Sequence, residues 1–242
     1  MKLSLAFVAL VCSLSYTNQV HAEEKLGWTH ESTLGVVKVG GNSDSESYNG
    51  KQKTIYTIEN NALTLTGQYL ETKSTGVQTG KAWDAALRYE RIFSVMWSGF
   101  VQHGAESDTF AGYTQRDNSD FGGKYYLIQD EHEKLVSEVG YRYTKTLSSQ
   151  NAPTKYESYG RAYLEYNRKF NDSVSAKLWV EYLPNFTNTE AYLVNYEPSI
   201  TVLMNSVLSL KLAYLVKAHN LTLLPNEKKE DTTFTTALVA KF

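Results

Sequence analysis

The chain has 242 residues, a 42% apolar fraction and a formal charge of −2, which fits one all-β domain and offers no basic footprint for nucleic acid. Beyond the N-terminal segment no run of eighteen consecutive apolar residues occurs, which excludes a transmembrane helix. The single cysteine, Cys12, lies in that segment, so the rest of the chain has no disulfide or thiol chemistry.

Lys2 precedes an apolar run from Leu3 to Leu14, and Val20-His21-Ala22 supplies the small residues of a signal-peptidase site. Residues 1–22 therefore read as a cleaved signal peptide and 23–242 as one domain of about 220 residues. Removing Lys2 takes the charge from −2 to −3. Val11 stands where a lipobox needs a small residue, which argues against a lipoprotein. The 18 Tyr and 4 Trp suit membrane–water interfaces, where a ring meets lipid and its polar atom meets headgroups. A Tyr-rich soluble sandwich is the competing reading. An exported chain that inserts in lipid without helices must close a β-barrel, the other structure that satisfies every backbone group.

Twelve strand-like segments follow, at roughly 28–40, 45–57, 62–73, 81–93, 97–108, 114–127, 134–147, 156–170, 174–183, 191–203, 207–219 and 231–242. Connections after even-numbered strands are mostly short: Glu59-Asn60-Asn61, Ser94-Val95-Met96, Asn171-Asp172-Ser173 and Met204-Asn205-Ser206. Gln129 to Glu133 reads as a longer, charged exception. Connections after odd-numbered strands are mostly longer: Ser74 to Gly80, Ser148 to Lys155, Pro184 to Glu190 and Asn220 to Glu230. Short periplasmic turns alternating with longer external loops characterise outer-membrane barrels. The expectation is a closed antiparallel transmembrane barrel of about twelve strands with both termini periplasmic.

The strand faces agree. In strand nine Val174, Ala176, Leu178, Val180 and Tyr182 alternate with Lys177, Trp179 and Glu181. In strand ten Tyr192, Val194, Tyr196, Pro198, Ile200 and Val202 alternate with Asn195, Glu197, Ser199 and Thr201. Strand eleven sets Leu208, Leu210, Leu212, Tyr214 and Val216 against Ser209, Lys211, Ala213, Lys217 and His219, with Leu215 out of pattern. Pro198 removes a ladder donor and predicts a bulge near the rim. Strand two is strongly apolar on neither face. Strand six places Gln115, Asp117 and Ser119 on the face of Phe121, so either its outer part projects beyond the bilayer or the register differs. In the last strand Phe234, Thr236, Leu238, Ala240 and Phe242 share a face, and an aromatic ending such a strand resembles the assembly signal of outer-membrane barrels. Phe234, Leu238 and Phe242 are the expected signal, read by the barrel-assembly machinery.

Trp28 opens the first strand, which ends in Gly41-Asn42-Ser43-Asp44-Ser45. Arg88-Tyr89 follows, then Asp108-Thr109-Phe110 with Arg116, then Gly122-Gly123-Lys124-Tyr125-Tyr126-Leu127. In this order the motifs resemble the salt-induced, acid-inducible outer-membrane protein family, a domain family of unknown function, over most of the mature chain. Gly122-Gly123-Lys124-Tyr125 departs from the Gly-x-Gly-Tyr pattern usual there. The resemblance implies an outer-membrane barrel in a Gram-negative envelope under stress, and it brings no catalytic or ligand residues.

Gly41-Asn42-Ser43-Asp44 is either a hairpin turn or a small backbone nest for an ion. His30 and Ser32 share a face with Trp28, as a lipid hydrolase would require, but no third group that would orient the base is identifiable. Asp108, Arg116, Asp117 and Asp120 cluster around one connection and pair more naturally with one another than with a metal. Zinc spacings and phosphate loops do not occur. The broadest functional pattern lies on the assumed lumen face: Arg88, Glu90, Glu138, Arg142, Arg161, Glu165, Lys177, Glu181, Glu197, Lys211 and Lys217, joined by Arg116, Asp120 and Lys124. Such a lining either holds water and conducts small solutes with weak selectivity, or forms ion pairs that plug a narrow barrel. The sequence thus predicts a monomeric outer-membrane barrel in contact with lipid, without enzymatic activity, cofactor or metal, and serving either as a narrow pore or as a plugged scaffold whose loops meet surface partners.

Overall fold

A computed structural model describes residues 26–39, 45–148, 153–221 and 229–241. The expected signal peptide, the Gly41–Asp44 turn and Phe242 lie outside the described residues. Twelve antiparallel strands form one closed barrel: β1 (Gly27–Val39), β2 (Ser45–Ile58), β3 (Asn61–Ser74), β4 (Val77–Ile92), β5 (Trp97–Asp108), β6 (Tyr113–Gln129), β7 (Glu133–Ser148), β8 (Lys155–Lys169), β9 (Val174–Pro184), β10 (Tyr192–Leu203), β11 (Leu208–His219) and β12 (Glu230–Lys241). Each pairs with its sequence neighbour, and β12 returns to β1 through Glu31↔Lys241 to Leu34↔Leu238. A Lys241–Glu31 ion pair of 2.9 Å lies on that seam.

Four of the five turns beside Leu26 and Lys241 share one local device. Ser94, Asp130, Asn171 and Asn205 each accept hydrogen bonds from backbone N–H groups two and three residues ahead, closing the chain before the next strand. The connection through Asp130 is therefore no exception: it spans Asp130–His132, and the two N–H donors hold the Asp130 carboxyl below the usual carboxylate range. A second expectation is corrected at the opposite end. Ser74 to Gly80 is not a loop, because Thr75 and Gly76 at φ 49° and 77° make a two-residue hairpin turn and β4 starts at Val77.

Alternation assigns the faces. Leu34, Leu65, Leu87, Val101, Phe121, Val139, Leu178, Ile200, Leu210 and Leu238 project outward and stay exposed, whereas their chain neighbours face inward. Outward aromatics form two belts around this aliphatic band. Trp28, Tyr56, Tyr89, Trp97 and Tyr125 lie toward the short turns, and Tyr48, Tyr69, Trp83, Tyr143, Tyr156 and Tyr182 toward the other end. Trp28 packs on Tyr56 with ring centroids 4.6 Å apart, and Tyr143 on Tyr156 at 6.4 Å. A soluble sandwich would bury such a surface; a band of this kind between two aromatic belts suits a bilayer.

Two irregular strands find their reasons. The outward Gln115, Asp117 and Ser119 of β6 stand beyond Phe121, with Asp117 opposite Lys145 and Ser119 bonded to His103 at 2.9 Å. The register shifts before Gln115 and runs unbroken from there to Phe121, so the polar part of β6 projects past the aliphatic band. Pro198 makes no bulge: it is paired with Leu178 on β9, and the β10–β11 register is the same on both sides of Glu197 and Pro198, which alone drop out of that ladder. The missing N–H faces β11, and the strands stay in step.

Leu210 faces outward and Lys211 inward on β11. Leu210→Arg is expected to destabilise the folded barrel by up to roughly 2–4 kcal/mol, the cost of a lipid-facing arginine, which falls toward the interface. Lys211→Gln is expected to cost distinctly less. Urea titration of the folded fraction in lipid vesicles measures both, and equal losses would contradict the facing of β11.

Candidate functional site

The inward positions of β4 to β9 converge on one ion-pair network. Arg88 on β4 donates to both carboxylate oxygens of Glu138 on β7 at 2.7 and 3.2 Å, and to Glu90 at 3.2 Å. Glu90 also accepts from Lys124 on β6 at 2.7 Å and from the buried Ser98 hydroxyl at 2.6 Å. Arg142 on β7 grips Asp120 on β6 with two bonds of 2.7 and 2.8 Å. Arg161 on β8 links the halves, donating to Glu138 at 2.6 Å and to Glu181 on β9 at 2.7 Å. Such bidentate, charge-assisted bonds repay desolvation only where the remaining lone pairs are also met, and Asn195 donates to Glu181 at 3.1 Å.

The network rests on an aromatic floor that two glycines make possible. Phe100 on β5 is buried with the Arg88 guanidinium 3.8 Å and the Arg161 guanidinium 5.7 Å from its ring centre. Its ring lies over Gly122, which is paired with Gly140 on β7. A Cβ on Gly122 would stand 2.5 Å from the Val139 carbonyl oxygen and 3.0 Å from the Phe100 ring. Gly123, its neighbour in the same motif, faces outward and would meet nothing closer than 4.0 Å. Only the first glycine of the pair is required by packing.

On the other side of the lumen the lining changes. Small inward residues such as Thr33, Ser199, Ser209, Ala213 and Ala237, all of them buried, make up the wall of β1 and β10 to β12. Lys51 and Lys53 project from β2, Lys177 from β9 and Lys211 from β11. Lys211 and Lys51 approach Glu197 at 3.0 and 3.9 Å, and Lys177 pairs with Glu165 at 3.1 Å. The Lys51–Glu197 contact spans the lumen, since β2 and β10 are separated by β1, β12 and β11.

All eleven residues singled out on alternation, Arg88, Glu90, Glu138, Arg142, Arg161, Glu165, Lys177, Glu181, Glu197, Lys211 and Lys217, occupy inward positions. Sequence reasoning passed over Lys51, Lys53 and Phe100; the signal for the lysines was their alternation against Tyr48 and Tyr56. The group Asp108, Arg116, Asp117 and Asp120 is not brought together. Asp108 caps the β5–β6 turn, Arg116 turns to Glu106, Asp117 faces outward and Asp120 belongs to Arg142. Nor do His30 and Ser32 pair with each other: His30 bonds Thr54 at 3.1 Å, and Ser32 donates to Gln52 at 2.5 Å. Phe234 and Leu238 of the expected assembly signal face outward and are exposed. Among the described residues no group of three or more His, Cys, Asp or Glu side chains is placed to hold a metal ion.

A family model described as protein of unknown function, DUF481, matches residues 32–242. The chain belongs to that family. No curated protein matches it. Among solved structures the barrel is similar to an outer membrane channel from Pseudomonas putida F1, with a TM-score of 0.56 at 11% identity over 94% of this chain and 100% of that one. It is similar to the NanC porin, with a TM-score of 0.52 at 7% identity over 87% of this chain and 96% of that one. The KdgM porin, solved in complex with disordered oligogalacturonate, gives 0.50 at 9% identity over 88% and 99%. At these identities the likeness concerns the fold, that of outer-membrane barrels.

Gly122→Ala is expected to destabilise this DUF481 barrel by about 1–3 kcal/mol through overpacking against Val139 and Phe100, while Gly123→Ala leaves the urea midpoint nearly unchanged. Arg161→Met removes the link between Glu138 and Glu181 and leaves both carboxylates short of a partner, an expected loss of about 3–5 kcal/mol in the same titration.

Proposed function

We propose that this chain is a monomeric outer-membrane barrel whose lumen is a narrow, water-filled pore for small solutes. The observation that carries the reading is the division of the lumen: bulky, paired charges are drawn onto one wall, while small residues and lysines line the facing wall. A lining of this kind holds water beside a rigid filler. In this reading the signal peptide is removed after Ala22, the short Asx-capped turns and both termini face the periplasm, and the barrel-assembly machinery recognises the last strand through Phe234, Leu238 and Phe242. The motif resemblance supports a role in the envelope under salt or acid stress. Enzymatic activity has no part in the proposal.

A plugged scaffold is the second reading, favoured by the burial of the arginine network. Recording from the purified protein in planar bilayers separates the two. Small, steady conductance steps are expected. Thr66→Trp, which places a ring on the lumen face of β3 beside Lys53 without changing charge, is expected to reduce them. Silence across salts and voltages, against an empty-detergent control, would leave the plugged scaffold in its place.

A further inference from the structure

The two sides of the lumen differ in charge balance. In the arginine network four cations, Arg88, Lys124, Arg142 and Arg161, meet four carboxylates, so that wall is neutral. The lysine side is unequal. Lys51 and Lys211 share the single carboxylate of Glu197, and Lys177 takes Glu165. Lys53 has no carboxylate within 4.0 Å among the described residues, and Glu31, opposite it on β1, is paired with Lys241. With Lys241 held by Glu31, five lysines therefore face three carboxylates on this side.

Exposure sharpens the difference. Glu90, Asp120, Glu138, Glu181 and Glu197 are only 4–8% exposed, sheathed by the cations that bind them. Lys53 is exposed, and the side chains of Lys177 and Lys51 are 38% and 29% exposed. The lumen is close to neutral by formula, yet the charge it presents to water at this level is positive. Asp84 lies on the same paired row as Lys51, through Gln68, and Glu106 pairs with Arg116.

We infer that the pore passes anions in preference to cations, along a path lined by Lys51, Lys53 and Lys177. The solutes it suits are small molecules bearing carboxylate, phosphate or sulfate groups, with chloride the simplest. This rests on the pore reading above. Charges inside a narrow, low-dielectric wall focus their field on the passing ion. Their reach at moderate salt, about 10 Å at 0.1 M, is comparable with the span of lumen side chains.

The test is the reversal potential of the purified, folded protein in a planar bilayer under a tenfold potassium chloride gradient. The expected sign is that of chloride, with a chloride-to-potassium permeability ratio above about 2. Lys53→Gln, at a residue without an ion-pair partner among the described residues, is expected to lower that ratio at least about 2-fold, and Lys53→Glu to carry it toward potassium. Lys51→Gln, which leaves Glu197 to Lys211, provides a second variant, and heat-modifiable migration confirms that each is folded. Conductance without chloride preference would overturn this inference and leave the pore reading standing. Preference unchanged by the Lys53 and Lys51 variants would overturn the assignment of the path, and absence of conductance would overturn both.

Discussion

Backbone satisfaction in lipid is the constraint on which the whole molecule depends. Each unpaired N–H or C=O in hydrocarbon costs several kcal/mol, so every strand needs a neighbour on both sides and the sheet has to return on itself. Pairing of Leu34 with Leu238 and of Glu31 with Lys241 is where this chain meets the requirement. The same demand explains the turns. Where a chain leaves one strand for the next, the side chains of Ser94, Asp130, Asn171 and Asn205 accept the N–H groups that the ladder can no longer serve. Pro198 shows the tolerance of the design: one donor is lost toward β11, yet the strands on either side hold their register.

Closure then forces a division of chemistry. A side-chain period of two on each strand sends one set to lipid and the other to the lumen, so the interior receives the charges that the exterior cannot hold. Inside, packing decides how those charges are used. The Gly122–Gly140 pair lets Phe100 lie flat against the wall, and the ring carries Arg88 and Arg161 at a height where they reach Glu138 and Glu181. With the carboxylates taken up in this way, the lysines of β2 and β9 remain toward the water. The charge presented to the lumen is set by burial, not by composition.

Pro198 also borders a feature of the outer surface. A shallow apolar groove of about 350 Å³ lies there, lined by Leu178, Pro198, Ile200, Leu212, Tyr214 and Phe234. Its lining is almost wholly apolar and belongs to the aliphatic band, so hydrocarbon fills it at no polar cost.

Much of this was legible in the residues themselves. Alternation over ten to fifteen residues fixes which side chains share a face, because a strand has only two. The facing of β9, β10 and β11 followed from it, as did the inward positions of the eleven charged residues named above. Turn chemistry was legible only in part: Thr75-Gly76 was read as part of a loop because positive φ at a threonine has no strong sequence mark, and Asp130 was hidden among other charges. Partners were not legible at all. That Arg88 reaches three strands along to Glu138, that Lys51 crosses the lumen to Glu197, and that Gly122 but not Gly123 lies under Phe100 depend on strand stagger and wall curvature. Those are properties of the closed sheet. The sequence determined which face each side chain takes, since that is a local consequence of the pleat; the tertiary structure alone decided which charges neutralise one another and which are left to face water, since distances across a lumen exist only once the barrel has closed.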